Sequence, residues 1–194
     1  MKEGLIILNG DGFDPLSYDF YRRNTDIDIC GFVSANIKQD IRFRYFNRMT
    51  LKEEDIHLPY IDLLNFFQEF PVVILNSFTN NEEFMSTVYE QTKHFAHVAD
   101  PVVDRLAIIE MNAGLAQGVL VGPYSHIHHD VALKDLVVVR EKCTIGSLTE
   151  IGEGSYICKG VTIGKNCKIG KNVFISENVT IKDFSEIKDF DKVY

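Results

Sequence analysis

From Val103 onward an aliphatic residue stands at every sixth position: Val103, Ile109, Leu115, Val121, Ile127, Leu133, Val139, Ile145, Ile151, Ile157, Ile163, Ile169, Ile175, Ile181, Ile187 and Val193. With apolar residues at 45% of the chain, sixteen hits in one register arise by chance on the order of a few times in a million. Four places after each aliphatic comes a small or β-branched residue, as at Ala107, Val119, Ser125, Val131, Cys143, Thr149, Ser155 and Cys167, and only Asp191 breaks that series. Six residues per face suit neither a helix of period 3.6 nor long strands. They suit a prism with three short faces and eighteen residues to a coil, in which large aliphatics point inward and stack along each face. At about 4.8 Å per coil, roughly five coils make a column about 25 Å tall. Glycines directly after the aliphatic, at Gly122, Gly146, Gly152, Gly164 and Gly170, are expected at corners that need unusual backbone angles.

Residues 1 to about 100 are patterned differently. Apolar strand-like runs lie at Leu5 to Leu8, Ile27 to Val33 and Pro71 to Leu75, and spacing near 3.6 predicts helices around Tyr60 to Phe70 and Glu82 to His97. Alternation of strands and helices predicts a small parallel α/β sheet of Rossmann-like type over residues 1–100, followed by the repeat domain over 101–194. The turn after the first strand, with Gly10, Asp11, Gly12 and Phe13, lets backbone amides approach a ligand phosphate, although a plain tight turn fits the same residues. The arginines and aromatics from Arg42 to Arg48 suit stacking on a base or gripping phosphate, and equally an edge strand with solvated arginines.

Charge narrows the function classes. A formal net charge of -8 excludes the Lys/Arg surplus that nucleic-acid phosphates or an anionic membrane surface would require. The apolar run near Met1 is too short for a signal peptide or a spanning helix, so a cytoplasmic location is expected. Cys30, Cys143, Cys158 and Cys167 have neither CxxC nor metal-ligand spacing and are expected as reduced, mostly buried thiols.

One constellation has catalytic character: His126, Ile127, His128, His129, Asp130 and Val131. Ile127 and Val131 are inward positions of the repeat, which leaves His128, His129 and Asp130 around a corner, facing outward. Such residues are often a solvated polar corner. An aspartate beside a histidine is also the pair that fixes a tautomer and stabilises an imidazolium.

The repeat, the glycine-containing turn, the second strand running into Gly31 and Phe32, and the sequence Ile127-His128-His129-Asp130 together resemble the hexapeptide-repeat acyltransferases. The likeness is to bacterial nucleotide-sugar acetyltransferases of the sialic-acid and bacillosamine type. That resemblance implies a left-handed parallel β-helix, an N-terminal domain that holds the nucleotide sugar at Gly10, Asp11, Gly12 and Phe13, and a homotrimer. It further implies acetyl-CoA as acyl donor, His129 as general base and Asp130 as its orienting partner. Ser147, one coil beyond His129, takes the place of a cofactor-contacting glycine, and Lys165 follows one coil later. Lys159, Lys165, Lys168, Lys171 and Lys182 supply cations for an anionic cofactor, with solvated lysines as the plainer explanation. The sequence departs from the family where relatives carry a second histidine, here Val138, and in lacking a C-terminal Gly-Asn-Pro-Ala segment.

Two alternatives compete with acyl transfer. A metalloenzyme of the γ-carbonic anhydrase kind needs histidines on different coils. The three in the repeat lie within four residues of each other, so no metal site is expected, and a zinc assay discriminates. A non-catalytic scaffold needs no His129-Asp130 pair.

Overall fold

The computed structural model describes residues 3–9, 15–26, 28–35, 41–47, 52–57, 73–75, 78 and 97–194, and the chain divides into two compact units, Met1–Ala99 and Asp100–Tyr194. The Gly10 to Phe13 turn, Arg48 and the helices expected at residues 60–70 and 82–97 lie outside the described residues, except for His97, which stands in a strand and not in a helix.

In the first unit, β1 (Glu3–Asn9) lies between β2 (Asp28–Ala35) and β5 (Val73–Leu75) and runs parallel to both. Strand β6 (His97–Val98) extends the parallel set beside β5. The expected strand runs therefore fall on β1, β2 and β5. The all-parallel expectation needs correction, because β3 (Ile41–Asn47) and β4 (Lys52–His57) add an antiparallel hairpin beyond β2, giving the order β4-β3-β2-β1-β5-β6. The segment that begins at Arg42 is accordingly an internal strand. Among the described residues the edge falls to β4, whose sequence KEEDIH is the charged composition that discourages further strand pairing. Helix α1 (Pro15–Asn24) starts on a proline, whose fixed φ and missing N–H suit a first turn, and ends with Arg22 and Arg23 in the last turn, where cations favour the dipole. Its buried face carries Phe20 and Tyr21. Phe20 packs edge-on against Phe78 with ring centroids 4.7 Å apart, and the Phe78 amide donates to the Ser17 hydroxyl at 2.8 Å.

The second unit is a parallel β-solenoid of about five turns. Two-residue strands recur every six residues from β7 (Val102–Val103), β8 (Ile108–Ile109) and β9 (Gly114–Leu115) to β22 (Lys192–Val193), and each ends on the aliphatic that the period marks. Each strand as far as β19 pairs with the one eighteen residues on, as in Val121↔Val139, Ile127↔Ile145 and Leu133↔Ile151, so three parallel sheets of six, five and five strands form the faces. The ladders Val121-Val139-Ile157-Ile175, Ile127-Ile145-Ile163 and Leu133-Ile151-Ile169 are buried and constitute the core.

The small positions fill the inner corners, and their polar atoms are paired. Thr149 Oγ1 donates to the Gly164 carbonyl at 2.8 Å and accepts the Cys167 amide at 3.0 Å. Ser155 repeats this with Gly170 and Val173, and Ser125 with Arg140 and Cys143. A buried hydroxyl is tolerated in an apolar prism only when satisfied in this way. Cys143, Cys158 and Cys167 are buried and form no disulfide among the described residues, and burial pushes the Cys143 thiol up to about 11.

Left-handed backbone occurs at every sixth residue from Asn112 (φ 61°) to Phe190 (φ 64°), three places after each aliphatic. The glycines directly after the aliphatic are therefore not the strained residues, contrary to the expectation from sequence. Their reason is close packing between coils. A Cβ on Gly146 would lie 2.6 Å from the Gly164 carbonyl carbon, and one on Gly152 would lie 2.5 Å from that of Gly170.

Candidate functional site

The corner after β11 (His126–Ile127) carries the histidine cluster. Ile127 is fully buried and Val131 nearly so, so the chain between them is forced outward around the corner. Pairing with β8 places His126 beside Ile108, and its Nε2 meets Glu110 Oε1 at 2.7 Å. The same oxygen lies 3.3 Å from His128 Nδ1, and the two imidazoles stack with centroids 4.1 Å apart. The other carboxylate oxygen, Oε2, accepts the backbone N–H of His129 at 3.0 Å. Glu110 thus ties together three of the four residues from His126 to His129. Sequence reasoning missed it. The available signal was the coil length: Glu110 stands eighteen residues before His128, immediately after its own inward Ile109.

His129 Nδ1 lies 2.9 Å from Asp130 Oδ2, with the two side chains about half exposed. Facing a carboxylate, Nδ1 carries the proton and donates it, which leaves the Nε2 lone pair available as a base. Asp130 occupies the left-handed corner position at φ 57°, a conformation aspartate adopts more readily than most residues. The hydrogen bond from His129 comes first in holding its carboxyl below the usual range, with a second from Asn112 one coil back. Glu110 is lowered likewise, chiefly by its hydrogen bond with His126. Both acids are therefore carboxylates at neutral pH.

Ser147 and Lys165 continue the column of His129. The Leu148 amide donates to the His129 carbonyl at 3.3 Å, Asn166 to Ser147 at 2.8 Å and Phe184 to Lys165 at 2.9 Å. Beside them run Gly146 and Gly164, one and two coils beyond His128, which add no side chain next to the histidines. The Lys165 amide donates to Asp183 Oδ1 at 3.0 Å, and its ammonium lies 5.7 Å from the centre of the Phe184 ring. The five late lysines do not gather in one place. Lys159, Lys165 and Lys171 sit on three different corners, and Lys159 and Lys171 are ion-paired to Glu177 and Glu153. A groove of about 400 Å³ lined by Lys134, Asp135, Glu150, Lys168 and Lys171 lies along another corner and does not include His129. Val138, where relatives are expected to carry a second histidine, is buried.

Comparison with known proteins agrees with the solenoid. The model of the bacterial transferase hexapeptide (six repeats) matches residues 148–183. No curated protein matches the chain. Among solved structures, a histidine-to-asparagine variant of perosamine N-acetyltransferase from Caulobacter crescentus, in complex with CoA and GDP-perosamine, aligns with a TM-score of 0.58 at 13% identity. That alignment covers 94% of this chain and 90% of that one. A histidine-to-alanine variant of the GDP-perosamine enzyme from the same organism, with the same two ligands, aligns with a TM-score of 0.53 at 12% identity, over 96% and 91% of the two chains. Residues 148–183 thus carry the bacterial transferase hexapeptide repeat, in a chain whose fold is shared with these solved acetyltransferase structures.

Proposed function

We propose that this protein is an acyltransferase that moves an acetyl group from acetyl-CoA to an amine or hydroxyl of a sugar, the sugar being nucleotide-linked. The observation that carries this is the His129-Asp130 pair, 2.9 Å apart on an outward corner of a hexapeptide solenoid. The shared fold with structures holding CoA and GDP-perosamine supports the substrate classes.

In this scheme His129 Nε2 removes the proton from the sugar amine or hydroxyl as that group attacks the thioester carbonyl. Asp130 holds the imidazole in the required tautomer and stabilises the imidazolium that forms. The backbone N–H of Ser147, one coil on, donates to the developing oxyanion. Its hydroxymethyl group leaves that donor intact where relatives are expected to have glycine. Collapse of the tetrahedral species expels the coenzyme A thiol, which takes its proton from His129, and no covalent enzyme intermediate is involved. Lys165 supplies a cation along the same column for the anionic donor. Gly10, Asp11, Gly12 and Phe13, in a Rossmann-like N-terminal domain, hold the nucleotide sugar. The solenoid is left-handed, and the chain works in the cytoplasm as a homotrimer.

The test is thiol release from acyl-CoAs against a panel of UDP-, dTDP-, CMP- and GDP-linked amino sugars, with mass spectrometry of the product. His129→Ala is expected to lower kcat by about 10²–10⁴-fold, the usual share of a general base, while leaving the circular dichroism unchanged. Release that continues undiminished in His129→Ala removes this assignment. A chain inactive on every acceptor would instead be a scaffold that keeps the architecture alone.

A further inference from the structure

We propose that Glu110, His126 and His128 form a three-ligand site for a divalent transition-metal ion of the zinc class, beside His129 but not including it. Among the described residues these three stand out in offering Glu110 Oε1, His126 Nε2 and His128 Nδ1 within 4.8 Å of one another. The ligands come from two successive coils, one from residue 110 and two from residues 126 and 128, so the solenoid itself fixes their spacing.

The chemistry of the set suits a borderline-soft ion. Two neutral imidazoles and one carboxylate are a donor combination found in zinc sites that keep an open position. Zinc–nitrogen and zinc–oxygen distances of about 2.0–2.2 Å in a tetrahedron place ligand atoms about 3.3–3.5 Å apart. Glu110 Oε1 already lies 3.3 Å from His128 Nδ1, within that range, and 2.7 Å from His126 Nε2, a hydrogen-bond length. An ion between them would replace the hydrogen bond, widen that pair by about half an ångström and turn the two stacked rings toward a common centre. All three side chains are about one-third exposed, which leaves an entry path and room for water or another small ligand at the remaining coordination position. Glu110 would keep its second oxygen on the His129 amide, so the carboxylate would bridge the ion and the corner. Such bridging is how outer-shell groups are positioned at metal sites.

The proposed site is not the three-histidine kind weighed from sequence, which needs histidines on different coils. His129 points to Asp130, and the third ligand is an acid one coil earlier. The inference does not depend on acyl transfer, because its readout is binding.

The experiment uses the full-length chain without an affinity tag, stripped with a chelator and titrated with Zn²⁺ in competition with a chromophoric chelator. Co²⁺ serves as a spectroscopic substitute for coordination geometry. One equivalent is expected to bind, with the strong visible bands of four-coordinate cobalt. His126→Ala, His128→Ala and Glu110→Gln should each weaken binding by at least about 100-fold, the upper end of what outer-shell changes alone cost. His129→Ala should bind as the parent does. The sequence also contains His57, His94 and His97, so stoichiometric binding that survives all three ligand variants would place the ion elsewhere and overturn the proposal. Absence of saturable binding would overturn it too, leaving Glu110 as a hydrogen-bond brace for the corner.

Discussion

At the scale of single residues, Asp130 and Glu110 illustrate how a solenoid corner tunes charge. Partial burial opposes the shift in both acids, so their lowered pKa values come from hydrogen bonds and nearby imidazoles that outweigh it. The sign follows from linkage. A carboxyl depressed in the folded state supports folding above its unfolded pKa, and that support is lost as pH falls through the folded value. Carboxyl NMR titration should accordingly give midpoints for Asp130 and Glu110 below those of ordinary exposed acids. In His129→Ala the Asp130 midpoint should return most of the way, since the His129 hydrogen bond is the leading cause, while Glu110 should move less. An Asp130 midpoint indifferent to that substitution would show that the pair is not formed in solution. Asp130→Asn isolates the charge from the backbone, because asparagine occupies the same left-handed corner position at Asn112, Asn166, Asn172 and Asn178. It should lower kcat by a smaller factor than His129→Ala and keep the fold.

At the scale of the element, the hexapeptide separates two demands that sequence alone merges. The residue after the aliphatic must be small where coils approach closely, and the residue two further on must tolerate positive φ. Gly146→Ala should cost about 1–3 kcal/mol, because its new methyl would meet the backbone of Gly164 and Lys165 rather than a movable side chain. Lys142 meets the other demand poorly. It is exposed with φ 58°, and Lys142→Asn should stabilise the protein by about 1 kcal/mol. Urea melts of the two variants read both effects, and stabilities that moved in the same direction would refute the separation.

This also explains what the sequence disclosed. The register of aliphatics located every strand of the solenoid, since each inward position is a packing decision that leaves a hydrophobic mark. It also turned His129 and Asp130 outward. The glycine role was misassigned because composition shows that a residue lacks a Cβ without showing whether φ or a neighbour requires it. Glu110 went unnoticed because its partners lie sixteen to nineteen residues away, and an isolated glutamate looks like a solvated surface residue. In the N-terminal unit β4 escaped notice because an edge strand of sequence KEEDIH carries almost no apolar pattern.

At the scale of the whole molecule, stability in the solenoid should grade along the column, because each coil contacts only its neighbours. The same substitution at two places tests this. Ile157 is fully buried and stacked between Val139 and Ile175, whereas Ile187 is half-buried and pairs with Ile169 on one side only. Truncating a fully packed isoleucine leaves a cavity, so Ile157→Ala should cost about 2–5 kcal/mol. The terminal site has fewer partners to lose and more freedom to collapse, so Ile187→Ala should cost less than half as much in the same denaturant series. Hydrogen exchange should follow the same order, with amides of the last coil opening before those around Ile157. Equal losses at the two isoleucines would mean that the column's end is covered in solution. The side chains at that end would fit such an outcome, since Phe184, Phe190 and Tyr194 are all more than 60% exposed in the single chain. A concentration-dependent melting temperature would then separate cover by a second copy of the chain from cover within one chain, because only association responds to mass action.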